Sequence, residues 1–414
     1  MRRKRIEQAL IIIFLLFALI AGQATSAEPI EHGFTSVDHG VWIQMNPEVS
    51  PPNRTDTYFV YDIESDVAIL FGGCIARDLL ETSAEVYEDR TLNDTWVYDF
   101  NSDTWTEMSP TISPGPRGTA SMAYDTESDR VVLFSGIRQI NEPMYHVNWQ
   151  ETWTYDYNSN NWTNMEPTTM PPPRGFSSMA YDVESDVIIL FGGVLNGGAP
   201  TSGTWAYDLN NNNWTNMRPS PHPTSRFISA MTYDVESDRV ILFGGAQGGI
   251  SPRKYTDTWA YDFNTNTWTN MNPIPNPPSE PYDMTYDVNS DLCIFFGGTT
   301  DVNDSVPSDE TWAYDYNYNT WTNLNVSSRP GARGRPYLTY DDESDRILMY
   351  GGYGPERYNQ IYNDTWAFDF LGFPTTAITT DPPPVGGIDP AIAAASVAMA
   401  AVVTTAYVVF SRKR

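Results

Sequence analysis

The chain has 414 residues, of which 52 are acidic and 24 are basic, and its formal net charge at pH 7 is −28. A charge of this sign and size repels nucleic acid and anionic lipid headgroups, so nucleic acid is excluded as a partner. An acidic exterior also keeps a protein soluble, and the charge by itself therefore indicates no particular ligand.

The first 27 residues have the three parts of a secretory signal peptide. Four basic residues at positions 2–5 precede an apolar run from Ala9 to Ala21, and small residues continue to Ala27. We therefore expect residues 1–27 to be removed on export. A retained N-terminal anchor is the alternative, although the apolar run is short for a membrane span.

Six copies of one pattern occupy the middle of the chain. Each copy carries a Tyr-Asp pair, and consecutive pairs are 52 to 63 residues apart. The tyrosines of these pairs are Tyr61, Tyr124, Tyr181, Tyr233, Tyr286 and Tyr340. A period of this length, with four short segments in each copy, is typical of a propeller blade, which does not fold alone.

The third copy shows the four segments most clearly. Residues 175–181 form a short mixed run, and residues 187–191 are all apolar, which indicates a buried strand. Residues 204–209 alternate large with small or polar side chains, as a half-buried strand does. A turn rich in Asn then leads to residues 214–217, the fourth strand. The pattern predicts an all-β fold.

The order of these segments resembles the kelch repeat, in which a Gly-Gly doublet follows an apolar strand and is followed by an aromatic Tyr-Asp strand and a Trp. The second copy departs from it with Ser135-Gly136. The resemblance covers about residues 40–370 and implies a kelch-type β-propeller, a fold used mostly for binding and occasionally for catalysis. The doublets are Gly72-Gly73, Gly192-Gly193, Gly244-Gly245, Gly297-Gly298 and Gly351-Gly352.

The spacing of tryptophans predicts how a six-bladed ring closes. In the first five copies a second Trp follows the first by nine residues, but after Trp366 that position is Thr375. Residues 41–47, near the N-terminus, resemble the fourth strand of the other copies. We therefore expect this segment to pair with the last blade, which removes an open sheet edge. Cys74 and Cys293 would lie in blades that are not neighbours, so no disulfide is expected.

The C-terminal residues predict a membrane anchor after a propeller domain at residues 28–371. A Thr/Pro-rich linker at 372–390 precedes an uncharged apolar segment from Ala391 to Phe410, and residues 411–414 supply a basic stop. About 20 helical residues cover the roughly 30 Å hydrocarbon core. The expected topology is single-pass in the cell membrane, with the propeller extracellular and the C-terminus cytoplasmic. A removable tail exchanged for a lipid anchor remains open, and seven N-x-S/T sequons are weak evidence for glycosylation.

The loops between the second and third strands of the blades are the first candidate binding surface. They vary in length and lie on the same face as the links between blades. Aromatic and basic residues are concentrated in the first, second and sixth loops, and exposed aromatics on loops often mark binding sites. Internal packing of these side chains is the alternative. The candidates are Tyr87, Arg90, Tyr145, His146, Trp149, Tyr353, Arg357 and Tyr358.

A second candidate lies seven residues before the Tyr-Asp pairs, where five copies carry arginine and the fifth carries Ser279. Five guanidinium groups at one structural position suit a ring that binds carboxylate or sulfate. The alternative is a structural role, in which each arginine pairs with an Asp of a neighbouring blade. The arginines are Arg54, Arg117, Arg174, Arg226 and Arg333.

Catalytic and metal sites are not expected. The short acidic turns offer two or three oxygens each, whereas Ca²⁺ needs six to eight. The histidines fall out of register with the repeat, which argues against a copper site, and no acid/base carboxylate pair that departs from the repeat was recognised. The sequence therefore predicts a non-catalytic, cofactor-free protein that binds an extracellular protein or glycan. A glycan-active hydrolase or another propeller enzyme is the alternative.

Overall fold

The computed structural model describes residues 38–75, 91–139, 146–248, 253–301 and 306–373. These residues form six four-stranded antiparallel sheets and four short two-stranded ones, which confirms the predicted all-β, six-bladed propeller. The chain divides into two units, Met1–Gly372 and Phe373–Arg414, and the propeller belongs to the first. The predicted signal peptide and transmembrane segment lie outside the described residues. Nothing helical in the described part is long and apolar enough to cross a membrane.

The first half of the ring holds the strands of blades one to three. Strand β1 is Gly40–Gln44. Blade one consists of β2 Tyr58–Asp62, β3 Val67–Cys74, β4 Thr91–Asp99 and β5 Thr104–Met108. Blade two, with its loop hairpin β8–β9, consists of β6 Ser121–Asp125, β7 Arg130–Phe134, β8 Ile137–Gln139, β9 His146–Asn148, β10 Thr152–Asp156 and β11 Asn161–Asn164. Blade three consists of β12 Arg174–Gly175, β13 Ser178–Asp182, β14 Val187–Phe191, β15 Val194–Leu195, β16 Thr204–Asp208 and β17 Asn213–Asn216.

The second half of the ring repeats this arrangement. Blade four consists of β18 Ala230–Asp234, β19 Arg239–Phe243, β20 Ala246–Gln247, β21 Arg253–Lys254, β22 Thr258–Asp262 and β23 Thr267–Asn270. Blade five consists of β24 Thr285–Asp287, β25 Leu292–Phe296, β26 Thr311–Asp315 and β27 Thr320–Leu324. Blade six consists of β28 Tyr337–Asp341, β29 Arg346–Tyr350, β30 Tyr353–Gly354, β31 Arg357–Ile361 and β32 Thr365–Phe370.

The hydrophobic core lies between neighbouring blades rather than at the centre of the ring. The second strand of each blade is buried on both faces, and in β14 all five residues are buried. Phe191 of blade three packs against Trp268 of blade four, with ring centroids 5.3 Å apart. Such pairs explain why one blade alone would leave its apolar faces exposed to water.

The ring closes as the tryptophan spacing predicts. Strand β1 pairs antiparallel with β32 and becomes the outer strand of blade six, with Trp42 opposite Phe368. Trp42 is 1% exposed and packs on Phe296 of blade five, 5.1 Å between centroids. Both described cysteines, Cys74 and Cys293, are buried and unpaired with each other, as expected.

A belt of six hydrogen bonds joins each blade to the one before it. In every case the indole N–H of the outer-strand Trp donates to a Thr hydroxyl on the third strand of the preceding blade. The pairs are Trp105 to Thr365 (2.9 Å), Trp162 to Thr95 (3.0 Å), Trp214 to Thr152 (2.9 Å), Trp268 to Thr204 (3.0 Å), Trp321 to Thr258 (2.9 Å) and Trp42 to Thr311 (3.0 Å). The N-terminal strand therefore supplies a contact of the same kind as every other blade.

Candidate functional site

The five repeated arginines are buried in the blades and do not form an open ring. Arg54 shows the arrangement, with Nη1 donating to the Gly72 carbonyl at 2.8 Å and both Nη atoms to the Asp94 carboxylate at 2.8 and 2.7 Å. The indole of Trp96 donates to the same carboxylate at 2.7 Å. Arg226 and Arg333 form the same bidentate pairs, and Arg117 pairs with Glu151 through Nη2 alone. All five arginines are at most 1% exposed.

These contacts correct two expectations for the arginines. Their guanidinium groups are not exposed as a ligand-binding ring, because burial and pairing hide them. The paired carboxylate comes from the same blade, two residues before its first Trp, rather than from a neighbouring blade. A buried bidentate pair of this kind fixes the loop between second and third strands against the rest of its blade.

Aromatic side chains of the loops cover several of these arginines. Trp149 lies over Arg117 at 5.2 Å from guanidinium carbon to ring centroid, and Tyr362 lies over Arg333 at 4.3 Å. Trp149 is half-buried, and Tyr353 is 1% exposed. For these described aromatics the internal-packing alternative fits the contacts.

The remaining loop candidates are not brought together by described side chains. Tyr87, Arg90 and Tyr145 lie outside the described residues. His146 belongs to β9, and Arg357 and Tyr358 belong to β31, but their side chains are not described. A ligand-binding patch over blades six, one and two therefore stays a prediction.

The innermost strands of the propeller enclose a central channel with a cavity volume of about 670 Å³. Its walls are the innermost strands of the six blades, β2, β6, β13, β18, β24 and β28. The channel opens on the face that carries the turns between first and second strands. Four exposed aliphatic residues of these turns surround the opening, which we call the mouth: Ile63, Val183, Val235 and Val288.

A ring of carboxylates surrounds the mouth. The aliphatic residues of the mouth stand two positions after the repeated Tyr. In five of the six blades an exposed glutamate follows this position, and in blade six the position itself is occupied by Asp342. The glutamates are Glu64, Glu127, Glu184, Glu236 and Glu343. Apolar side chains inside a ring of negative charge form a surface complementary to an apolar group flanked by cations.

The opposite end of the channel is closed by buried residues that stand five positions before the repeated Tyr. Thr119 N donates to Asp56 O at 2.8 Å, Phe176 N to Thr119 O at 3.0 Å, and Ile228 N to Phe176 O at 3.0 Å. These three bonds link blades one to four, and each of the four residues has a positive φ between 57° and 59°, a costly conformation for side chains such as Thr and Ile. The closed end thus has a defined backbone.

An ion pair completes the closed end. Arg335, also at positive φ, donates to Asp56 at 2.7 Å, and both side chains are 5% exposed. Its guanidinium carbon lies 4.6 Å from the Tyr282 ring centroid. The pair joins blades six and one, so the closed end is polar there and apolar where Phe176 and Ile228 lie.

Three residues that differ from the repeat also line the channel. They stand three positions before the repeated Tyr and are Tyr58, Asp283 and Tyr337. Asp283 accepts hydrogen bonds from Met284 N and from Leu338 N of the next blade, each at 2.9 Å. Burial raises the pKa of Asp283 to about 7, although these two bonds act in the opposite direction. The rings of Tyr58 and Tyr337 lie 6.0 Å apart.

The sequence interpretation, which looked only for an acid/base carboxylate pair, did not single out these residues. Asp56 and Asp283 both depart from the repeat, and both line the channel. The signal was present, because alignment of the six copies on the repeated Tyr shows variable residues five and three positions before it. In the structure Asp56 is committed to Arg335 and Asp283 to two backbone amides.

The acidic turns use their own oxygens. Asp62 accepts from Ser65 N at 3.0 Å, and Tyr61 donates to Asp66 at the end of the same turn. The other blades repeat this pattern, for example Tyr233 to Asp238 at 2.9 Å. Within the described ranges no group of three or more His, Cys, Asp or Glu side chains is placed to hold a metal ion.

Comparison with known proteins places this geometry in a family. The model of the KLHDC2/KLHL20/DRC7 Kelch-repeats domain matches residues 20–225 and 183–410. The flagellar outer-arm dynein alpha chain of Chlamydomonas reinhardtii is 26% identical over 230 residues, 52% of this chain and 5% of that protein. Kelch domain-containing protein 10 of Xenopus tropicalis is 25% identical over 238 residues, 56% of this chain and 54% of that protein. The chain thus spans at most about half the length of these relatives.

Proposed function

Because the chain belongs to the kelch-repeat family, whose propellers generally serve as interaction modules, we propose that it is a non-catalytic protein-binding module displayed at the cell surface. The observation that carries the binding site is the channel of about 670 Å³, open at the mouth and closed at the other end. Its volume lies within the range of small-ligand pockets. A partner therefore inserts a side chain or a short segment rather than docking on a flat face.

The mouth suits a protein segment with an aliphatic or aromatic side chain between basic residues. The four aliphatic residues around the opening are 39% to 45% exposed, so an inserted apolar group would remove their surface from water. The glutamate ring beyond them attracts Lys or Arg and raises the association rate at low salt. A glycan is the second choice, because the rim presents aliphatic side chains rather than aromatic faces.

The non-catalytic part of the proposal rests on how the two carboxyl groups inside the channel, Asp56 and Asp283, are held. A glycosidase needs two carboxyl groups that are both free to reach substrate. Asp56 is ion-paired, and both oxygens of Asp283 accept backbone N–H groups. Hydrolysis of any member of a glycan panel by the purified protein, abolished by Asp283→Asn, would overturn this part.

Surface display rests on the sequence at the two ends of the chain. We propose export through the N-terminal signal, cleavage after about Ala27 and anchoring by residues 391–410. Protease added to intact cells should digest the propeller or its 372–390 linker and leave a small membrane fragment. Full protection of the chain in intact cells, with digestion after lysis, would contradict this topology.

A random dodecapeptide display library, selected on the purified protein, tests the binding chemistry. We expect enrichment of peptides in which an apolar residue is flanked by Lys or Arg, with binding that weakens as salt is raised. Selected peptides should lose binding to a Val183→Lys/Val235→Lys variant. Enrichment of acidic peptides, or selection unaffected by that variant, would show that the mouth is not the binding site.

A further inference from the structure

Blade three breaks the arrangement that joins arginine, carboxylate and tryptophan in four other blades. The carboxylate stands two residues before the first Trp of its blade, as Asp94, Glu151, Asp257, Glu310 and Asp364. Blade three has Gly203 at this position, although Arg174 and Trp205 are both retained. An arginine and an indole that elsewhere share one carboxylate are therefore present without it.

Arg174 is 1% exposed and is held only in part. Nε donates to the Pro172 carbonyl at 3.0 Å and Nη1 to the Gly192 carbonyl at 2.9 Å. Among the described residues no carboxylate pairs with it, and no aromatic ring lies over it as Tyr255 lies over Arg226 at 4.2 Å. Burial lowers the pKa of Arg174 to about 10, with no neighbouring acid to oppose the shift.

The indole of Trp205 faces the same space. A Cβ atom built on Gly203 would lie 3.2 Å from Trp205 Nε1, so the N–H edge of the indole borders the place where a side chain is missing. The matching indoles Trp96 and Trp259 donate to their carboxylates at 2.7 and 2.6 Å. In the described part of the chain Trp205 Nε1 has no such acceptor.

The space above Gly203 can be reached from solvent. Thr201, Ser202 and Gly203 are each half-buried, and the loop from 194 to 203 contains no aromatic residue that would cover it. Blade five shows the converse loss, with Glu310 retained and Ser279 in place of arginine. The arginine-only arrangement is therefore specific to blade three among the six copies.

We propose that blade three carries a carboxylate-binding site in which Arg174 and Trp205 take a carboxylate from outside the chain. The ligand group would occupy the place of the missing side chain, pair with the guanidinium and accept the indole N–H. Four other blades show that this donor pair fits a carboxylate. Arg174, Gly203 and Trp205 do not line the central channel, so the proposal is independent of the proposed function.

The test follows the indole N–H resonance of Trp205 in the full-chain protein, assigned with a Trp205→Phe variant. Sodium formate is titrated against sodium chloride at constant ionic strength. We expect a saturable shift with formate and none with chloride. A Gly203→Asp variant supplies the repeat's own carboxylate and should abolish the response, and Arg174→Met should weaken formate binding at least tenfold.

The control variant is Asn213→Asp, which adds the same charge to an exposed strand position of the same blade. This variant should keep the saturable response to formate. Loss of the response would mean that added negative charge alone explains the result for Gly203→Asp, and it would overturn the proposal. A titration with an Asp-containing, amidated peptide separates the sources of the ligand. Tighter binding than formate indicates an acidic side chain of a protein, and weaker binding indicates a free small carboxylate. A wild-type protein that does not respond to formate, or a Gly203→Asp protein that does, would refute the site.

Discussion

The indole N–H of Trp42 donates to Thr311 Oγ1 at 3.0 Å, although the two residues are 269 positions apart in the chain. Five other tryptophans make the same bond to the preceding blade. The N-terminal strand thus closes the ring by the contact that joins every other pair of blades. Stability should depend on this strand because it removes both an apolar face and a sheet edge from solvent.

Trp42→Ala should lower the free energy of unfolding by about 3–5 kcal/mol, since the side chain is 1% exposed. Ile43→Ala is the matched control on the same strand, because Ile43 is 46% exposed and should change stability by less than about 0.5 kcal/mol. Denaturant unfolding measures both. Equal effects of the two substitutions would mean that the ring closes by other contacts.

Arg226→Met and Arg174→Met should differ in their effect on stability. Arg226 forms a bidentate pair with Asp257 at 2.6 and 3.0 Å, and its loss leaves a partly buried carboxylate without its partner, at a cost of about 3–5 kcal/mol. Arg174 has no carboxylate among the described residues, so its loss should cost about 1 kcal/mol, mainly for two hydrogen bonds to carbonyls. Chemical denaturation of both variants checks the order. A larger loss for Arg174→Met would contradict the assignment.

Asp283 should make the protein less stable as pH rises. Its pKa is raised by burial from 3.8 to about 7, so the folded state keeps a proton that the unfolded state has lost between these values. Stability therefore falls as pH increases through this window, by up to about 4 kcal/mol for this group. Other buried aspartates, such as Asp182 and Asp234, shift in the same direction and add to the profile.

The comparison with Asp283→Asn isolates that contribution. The variant should show a flatter dependence of unfolding free energy on pH between about 4 and 8, because the remaining aspartates are common to both proteins. Thermal or denaturant unfolding at several pH values gives the two profiles. Profiles that run parallel across the window would show that Asp283 titrates normally in the folded protein.

The fold was predictable because its signals repeat. Burial of the second strand and the nine-residue spacing of tryptophans recur in register, so the absence of one Trp after Trp366 pointed to the N-terminal segment. The pairing of the arginines was also visible in principle, as an acid two residues before each first Trp, with Gly203 as the exception. The sequence could not show that this acid pairs with the arginine and the indole, because the three groups meet only in the folded blade.

The channel residues were harder to foresee. Asp56, Asp283 and Arg335 each occur once, in different blades, and only an alignment of the six copies shows that their positions vary. They come together because the six-bladed propeller places the first strand of every blade around one central axis. The turns at the mouth were considered only as a calcium site for a related reason, since their aliphatic residues become neighbours only when the ring is closed.

The central claim is that a protein partner binds at the mouth, and the affinity of one selected peptide for four proteins tests it most directly. Val183→Lys/Val235→Lys places two cations at the mouth, while Ile112→Lys places one cation at a residue 53% exposed in a link on the opposite face. Trp149→Ala tests whether the loops of that opposite face contribute to binding. We expect the mouth variant to bind at least tenfold more weakly than wild type, about 1.4 kcal/mol, with Ile112→Lys and Trp149→Ala unchanged. Weakening by Trp149→Ala with full affinity in the mouth variant would contradict the claim and place recognition on the loop face.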